Sequence, residues 1–171
     1  PTKPLKIIVG FPDGSSPDLT ARTFSEPLSK ALGQPVIVDN KVGAGGNMGA
    51  DAVAKARDDH TIGLMINGNM TIAKLINPAV PYDPLKDLAP LTLVGTSPLV
   101  LTAPVSQPGV AATASAREFL ATARSAGDQW SYGTPGVGTV GHIGTELLKS
   151  RSGINPVHVP YAGYPQVATA M

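Results

Sequence analysis

The chain has 171 residues, 42% hydrophobic and 15% charged, with a net charge of +1 and no cysteine. That balance excludes disorder, disulfides, thiolate nucleophiles and zinc–thiolate sites, and it leaves no basic footprint for nucleic acid. One Trp, four Tyr and three Phe are too scattered for a base-stacking platform, and no apolar run of about 18 residues could span a membrane.

In chain order, "LKIIVG" (5–10) reads as a buried strand. A helix from about Pro17 to Leu32 follows, capped by Ser16, started by Pro17 and stopped by Gly33. Its apolar face is expected to run through Phe24, Leu28 and Ala31/Leu32, with a kink at Pro27. "PVIVD" (35–39) is a second strand. Asn47 is expected to cap a helix ending near Arg57, and "TIGLMI" (61–66) is a third strand. A short helix near 70–76 and the turn 77–84 lead to strand material at 90–95 and 98–103. "SARE" (115–118) spells a capping box that opens a helix to about Ser125. A strand at 130–132, a glycine loop, a helix to about Ser150, the strand 156–161 and a last helical start complete the chain.

This β-α-β alternation predicts an α/β fold with mainly parallel sheets, in which ligands bind beyond the carboxyl ends of the strands. Residues 96–110 look like a crossing between two lobes. The expected division is 1–98 for the first lobe and 99–171 for the crossing and the beginning of the second.

Two glycine-bearing loops run from strand ends into helices, 11–18 and 133–142. The second contains Gly136, Gly138 and Gly141 in the spacing G-x-G-x-x-G. A dinucleotide site would also need a carboxylate about 20 residues on to hold the ribose. None occurs near His158–Tyr161, and no G-K-[ST] phosphate loop is present. A doubly wound NAD- or FAD-dependent enzyme is therefore the alternative reading. A small carboxylate asks for less: unpaired helix-start amides and glycines that let it approach the backbone. Thr139 is the expected N-cap of the second helix. Gly43, Gly45, Gly46 and Gly49 are assigned to packing, and Asp18 to the helix dipole and the shape of its loop.

His60, His142 and His158 lack metal-ligand spacing, so no metal site is expected. His142 is expected to line its loop as a neutral hydrogen-bonding group, and His158 to pack in its strand. With no G-x-S-x-G elbow and no catalytic set to be chosen, the chain reads as a binding protein without cofactor. Trp130 would be its natural fluorescence reporter.

The segments "PTKPLKIIVGFPDGSSPDLTAR", "GQPVIVDNKVGAGGNMGADAVAKA", "YDPLKDLAPLTLVG", "GTPGVGTVGHIGTELL" and "VHVPYAGYPQ" together resemble the Bug/TctC family. These are the solute receptors of tripartite tricarboxylate transporters, and the likeness extends over essentially the whole chain. It implies a two-lobed, type II periplasmic binding protein whose leader is removed or not included. Such a receptor binds a small di- or tricarboxylate or related acid between its lobes and delivers it to a membrane permease. By the same resemblance the ligand meets Phe11, Asp13, Gly14, Ser15 and Asp18 of the first loop. It also meets Thr134, Gly136, Gly138, Thr139 and His142 of the second, and Asn67, Asn69 and Tyr161, Ala162 and Gly163 complete the pocket.

Three departures accompany the likeness. "FPDGSS" (11–16) replaces a pattern like F-P-P-G-G, so Asp13 would repel an anion unless its side chain points away. "DDHTIG" (58–63) replaces D-G-Y-T, a change read as structural. The length is little more than half that of a typical member, with the second lobe incomplete. The expectation is a fragment, a truncated natural product, a non-binding assembly form, or a chain completed by homo-oligomerisation or a swapped dimer.

Overall fold

The computed structural model describes residues 1–171. Its elements are β1 (Leu5–Val9), α1 (Ser16–Leu32), β2 (Val36–Asn40), α2 (Asn47–Ala54), β3 (Thr61–Leu64) and α3 (Ala73–Ile76). They continue with α4 (Ala116–Ala126), β4 (Ser131–Thr134), α5 (Val140–Ser152), β5 (Val157–Pro160) and α6 (Tyr164–Ala170). Two parallel sheets form, one ordered β2-β1-β3 and the other β4-β5.

Register decides what meets what. Val9 lies opposite Asn40 on one side and Leu64 on the other, and Thr134 lies opposite Pro160. The chain therefore leaves β1, β2 and β3 at one common end, and leaves β4 and β5 at another. Every loop of functional interest starts at one of those ends.

The central strand is buried on both faces, as parallel sheets require: Ile7, Ile8 and Val9 are at most 3% exposed. Ile7 and Val9 pack with Phe11 and Ala21, flanked by Leu28, Val36, Val38 and Ile62. A second cluster joins Ala50, Ala73, Val80 and Tyr82, flanked by Ala54, Met65 and Leu88.

α1 runs through Pro27 to Gly33, which closes it in the left-handed conformation that glycine adopts without strain. Its cap is Ser15, one residue earlier than expected. Leu28 and Leu32 turn inward as expected, but Phe24 is 42% exposed and Ala31 is exposed. The inward line runs through Asp18, Ala21, Ser25, Leu28 and Leu32, because a buried, paired Asp18 sets the rotation of the helix. Asn47 is not a cap either. It has helical dihedrals and lies inside α2, preceded by Gly46. The capping box at Ser115 and Glu118 is present as expected.

No strand forms at 90–95 or 98–103, and residues 89–103 make no backbone–backbone hydrogen bond. Leu91, Leu93 and Val100 are 77%, 78% and 70% exposed. Their β-branched and apolar composition suits a strand, but a strand requires a neighbour to pair with, and none lies beside this segment.

Candidate functional site

The first loop is built around a buried carboxylate. Asp18, 1% exposed, accepts hydrogen bonds from the Gly14 amide at 2.9 Å, Arg22 Nε at 3.0 Å and Asn40 Nδ2 at 3.0 Å. Burial opposes its ionisation, but Arg22, Asn40 and the Gly14 amide outweigh that and hold its carboxyl below the usual range. With both oxygens occupied, Asp18 shapes the loop rather than facing a ligand. Asp13 points away towards Arg22, 3.1 Å distant, so the expected clash with an anion is removed. The Ser15 amide donates to Pro12 O, whereas its buried hydroxyl has no partner.

The second loop is held by threonines. The Gly136 amide donates to Thr134 Oγ1 at 3.2 Å, and Thr139 Oγ1 donates to Gly136 O at 2.7 Å. Gly136 adopts a φ of 120°, open to glycine and strained for any other residue. The Gly138 amide faces His142 Nδ1 at 3.4 Å, so His142 does line the loop as an acceptor. His158 does more than pack: its Nε2 lies 2.7 Å from Thr134 Oγ1, and its ring stacks on Tyr132. Burial, with the neighbouring His142 second, lowers the His158 pKa and favours the neutral ring.

Thr139 occupies the N-cap position of α5, but its hydroxyl is turned to Gly136 O. Ile143 is the first residue whose amide bonds back into the helix, to Thr139 O. The Val140, Gly141 and His142 amides therefore have no partner within the helix, which is the arrangement that attracts anions.

The loops after the two sheets meet closely. A Cβ on Gly45 would lie 3.1 Å from Val137 O, one on Gly68 2.7 Å from Gly138 O, and one on Gly163 2.8 Å from Pro12 Cγ. Between them lies a cleft of about 390 Å³. One wall is Val42–Gly45, Asn47, Ala73, Ile76 and Asn77; the other is Pro135–Gly138 and Pro160–Ala162. None of these residues carries a charge.

Of the residues expected at the site, Gly136, Gly138, Tyr161 and Ala162 line this cleft. Thr134, Thr139 and His142 support it from behind. Phe11 is buried under Gly46, and Asp13, Gly14, Ser15 and Asp18 lie outside the lining. Gly163 packs on Pro12, and Asn67 is exposed. Asn69 is buried, donating to Gly45 O at 2.9 Å and to Asn47 Oδ1 at 2.8 Å.

Val42–Gly45 and Asn47 line the cleft, although the sequence assigns Gly43 and Gly45 to packing alone. The glycines here do pack: a Cβ on Gly49 would come within 2.6 Å of Gly10 Cα, and one on Gly10 within 2.5 Å of Gly46 O. That close approach is what carries the loop across to the second sheet. The available signal was position, since 41–46 leaves β2 at the same sheet end as the first loop. Trp130 stands at the far end of β4 against Phe119, about 13 Å from the loop at ~3.3 Å per residue, and is no reporter of the cleft.

The model of the tripartite tricarboxylate transporter family receptor matches residues 20–171. A protein from the tcbD-tcbE intergenic region of Pseudomonas sp. (strain P51) is 37% identical over 164 residues, covering 95% of this chain and 47% of that protein. The structure of R. palustris Rpa4515 with adipate superposes with a TM-score of 0.92 at 30% identity, covering 99% of this chain and 56% of that one. MatC from Rhodopseudomonas palustris with bound malate gives 0.90 at 30% identity, covering 99% and 57%. The chain thus has the fold of about half of a periplasmic binding protein, and it spans about half the length of the curated relatives it matches.

Proposed function

The chain belongs to the tripartite tricarboxylate transporter receptor family, a family of receptors rather than enzymes, and on that premise we propose that its cleft binds a small carboxylate. In this reading the protein works in the periplasm and hands its ligand to the membrane permease of a tripartite transporter. Residues 1–98 supply the N-terminal part of one lobe, and 99–171 supply the crossing and the first part of a second.

The observation that carries the proposal is the cleft itself. Its volume of about 390 Å³ falls in the range of small-molecule sites. Its walls are glycine-rich backbone with uncharged side chains, so recognition rests on neutral donors. The open amides at the start of α5 adjoin the Gly136–Gly138 wall and supply partial positive charge without a cationic side chain. The two structural neighbours at 30% identity hold adipate and malate, acids of suitable size.

Thermal unfolding with a panel of mono-, di- and tricarboxylates tests the reading. A ligand at a hundred times its Kd stabilises the folded chain by about 2.7 kcal/mol, a shift of several degrees. Protection by one or more carboxylates, and none by NAD or FAD, is expected. No protection by any carboxylate at millimolar concentration refutes carboxylate binding.

A further inference from the structure

We propose that Asn47 is a ligand-recognition residue whose side-chain Nδ2 is locked as a hydrogen-bond donor into the cleft, where it binds an acceptor oxygen of the acid. The inference rests on the cleft being the carboxylate site.

Its orientation follows from a chain of obligatory partners. Gly45 O is a carbonyl and can only accept, so the Asn69 atom 2.9 Å from it is Nδ2. The second hydrogen of that nitrogen points at Asn47, 2.8 Å away, so the atom it meets is Oδ1. The Tyr82 hydroxyl stands 2.9 Å from the same Oδ1 and 2.9 Å from Asn69 O. Burial and the Asp51 charge push its pKa up to about 12, so it keeps its one proton, which lies between two acceptors, and the orientation of Asn47 is fixed by the Asn69 NH2. Reversing Asn47 would set its NH2 against the Asn69 NH2.

What remains is Asn47 Nδ2. It has no hydrogen-bond partner, is not a buried orphan, and belongs to a residue lining the cleft. Asn69 and Tyr82, each 2% exposed, hold it from behind. The arrangement also leaves Asn69 Oδ1 buried without a partner.

The lining carries no cationic side chain, so a side-chain donor held in place contributes directly to affinity for an anionic or carbonyl oxygen. A hydrogen bond to a charged acceptor is worth roughly tenfold to a hundredfold in Kd.

The test compares Asn47→Asp with Asn47→Ala by isothermal titration with malate and with adipate. The aspartate keeps an oxygen for Asn69 and Tyr82, but it turns a negative acceptor towards the ligand. The alanine removes both functions. If Asn47 is a donor to the ligand, Asn47→Asp loses more affinity than Asn47→Ala, by tenfold or more against the wild type. If its role is only structural, the order reverses, and that result overturns the proposal. Side-chain amide NMR of the free protein reads the orientation without any ligand: the Asn69 NH2 is protected and the Asn47 NH2 exchanges with water. The opposite pattern overturns the proposal even if acids bind. Absence of binding by the wild type, with the expected NMR pattern, overturns the carboxylate site and Asn47's role in it, while the orientation stands.

Discussion

Replacing Asp18 by alanine isolates the element that shapes the first loop. The carboxylate serves the Gly14 amide, Arg22 Nε and Asn40 Nδ2. Breaking a buried ion pair costs about 3–5 kcal/mol when its partner is stranded, but here the partners have other acceptors. Arg22 is half exposed and keeps Asp13 and Asn40, and Asn40 keeps Phe11 O at 2.8 Å. The Gly14 amide has no substitute. Its loss, with the partial loss of the other two, gives about 2–4 kcal/mol. At a urea slope of about 2 kcal/mol/M, the midpoint should fall by roughly 1–2 M. Because the folded carboxyl titrates below its usual value, this stabilisation is complete above about pH 4, where the unfolded carboxyl is ionised. It fades as pH falls through the lower folded value, so the wild type and Asp18→Asn should converge in acid. A midpoint drop under about 0.3 M at pH 7, or a difference independent of pH, would refute this reasoning.

Gly49→Ala should destabilise by about 2 kcal/mol or more, since the new methyl would come within 2.6 Å of the Gly10 backbone, whereas Gly95→Ala meets open space and should leave the urea midpoint unchanged. Ser115→Ala removes the hydroxyl that accepts from the Glu118 amide while keeping the Ser115 amide's bond to the Glu118 carboxylate, and should cost about 1 kcal/mol, read as faster hydrogen exchange in the first turn of α4. Amides 90–103 should exchange at nearly unprotected rates, and Leu91→Lys with Leu93→Lys should suppress self-association without shifting the unfolding midpoint. Thr134→Val should strip the Gly136 amide and His158 Nε2 of their shared partner, lowering stability by about 1–3 kcal/mol and weakening carboxylate binding.

Much of the fold is written locally. Gly33, the Ser115–Glu118 pair and the apolar runs at 5–9 and 36–38 each carry their instruction within a few residues, and the elements appear where those residues place them. Failures occur where a partner distant in sequence decides. Phe24 was expected inside because it is apolar, but the rotation of α1 is set by Asp18 reaching Asn40, 22 residues away. Segments 90–95 and 98–103 have strand composition without a strand to join. Asn47 has the composition of a cap, yet its role is fixed by Asn69 and Tyr82, 22 and 35 residues on. The second loop was legible because its threonines and glycines satisfy one another at short range. The contribution of 42–47 was not, because it depends on how closely Gly10, Gly46 and Gly49 let two backbones approach.

The most direct measurement is an amide NMR titration of the chain with malate and with adipate. Binding at the cleft should shift the resonances of Gly43–Asn47, Gly136–His142 and Tyr161–Gly163 together, saturating with one acid per chain. Saturable shifts confined to other residues, or none in these segments at millimolar acid, would contradict a carboxylate site between the two sheets.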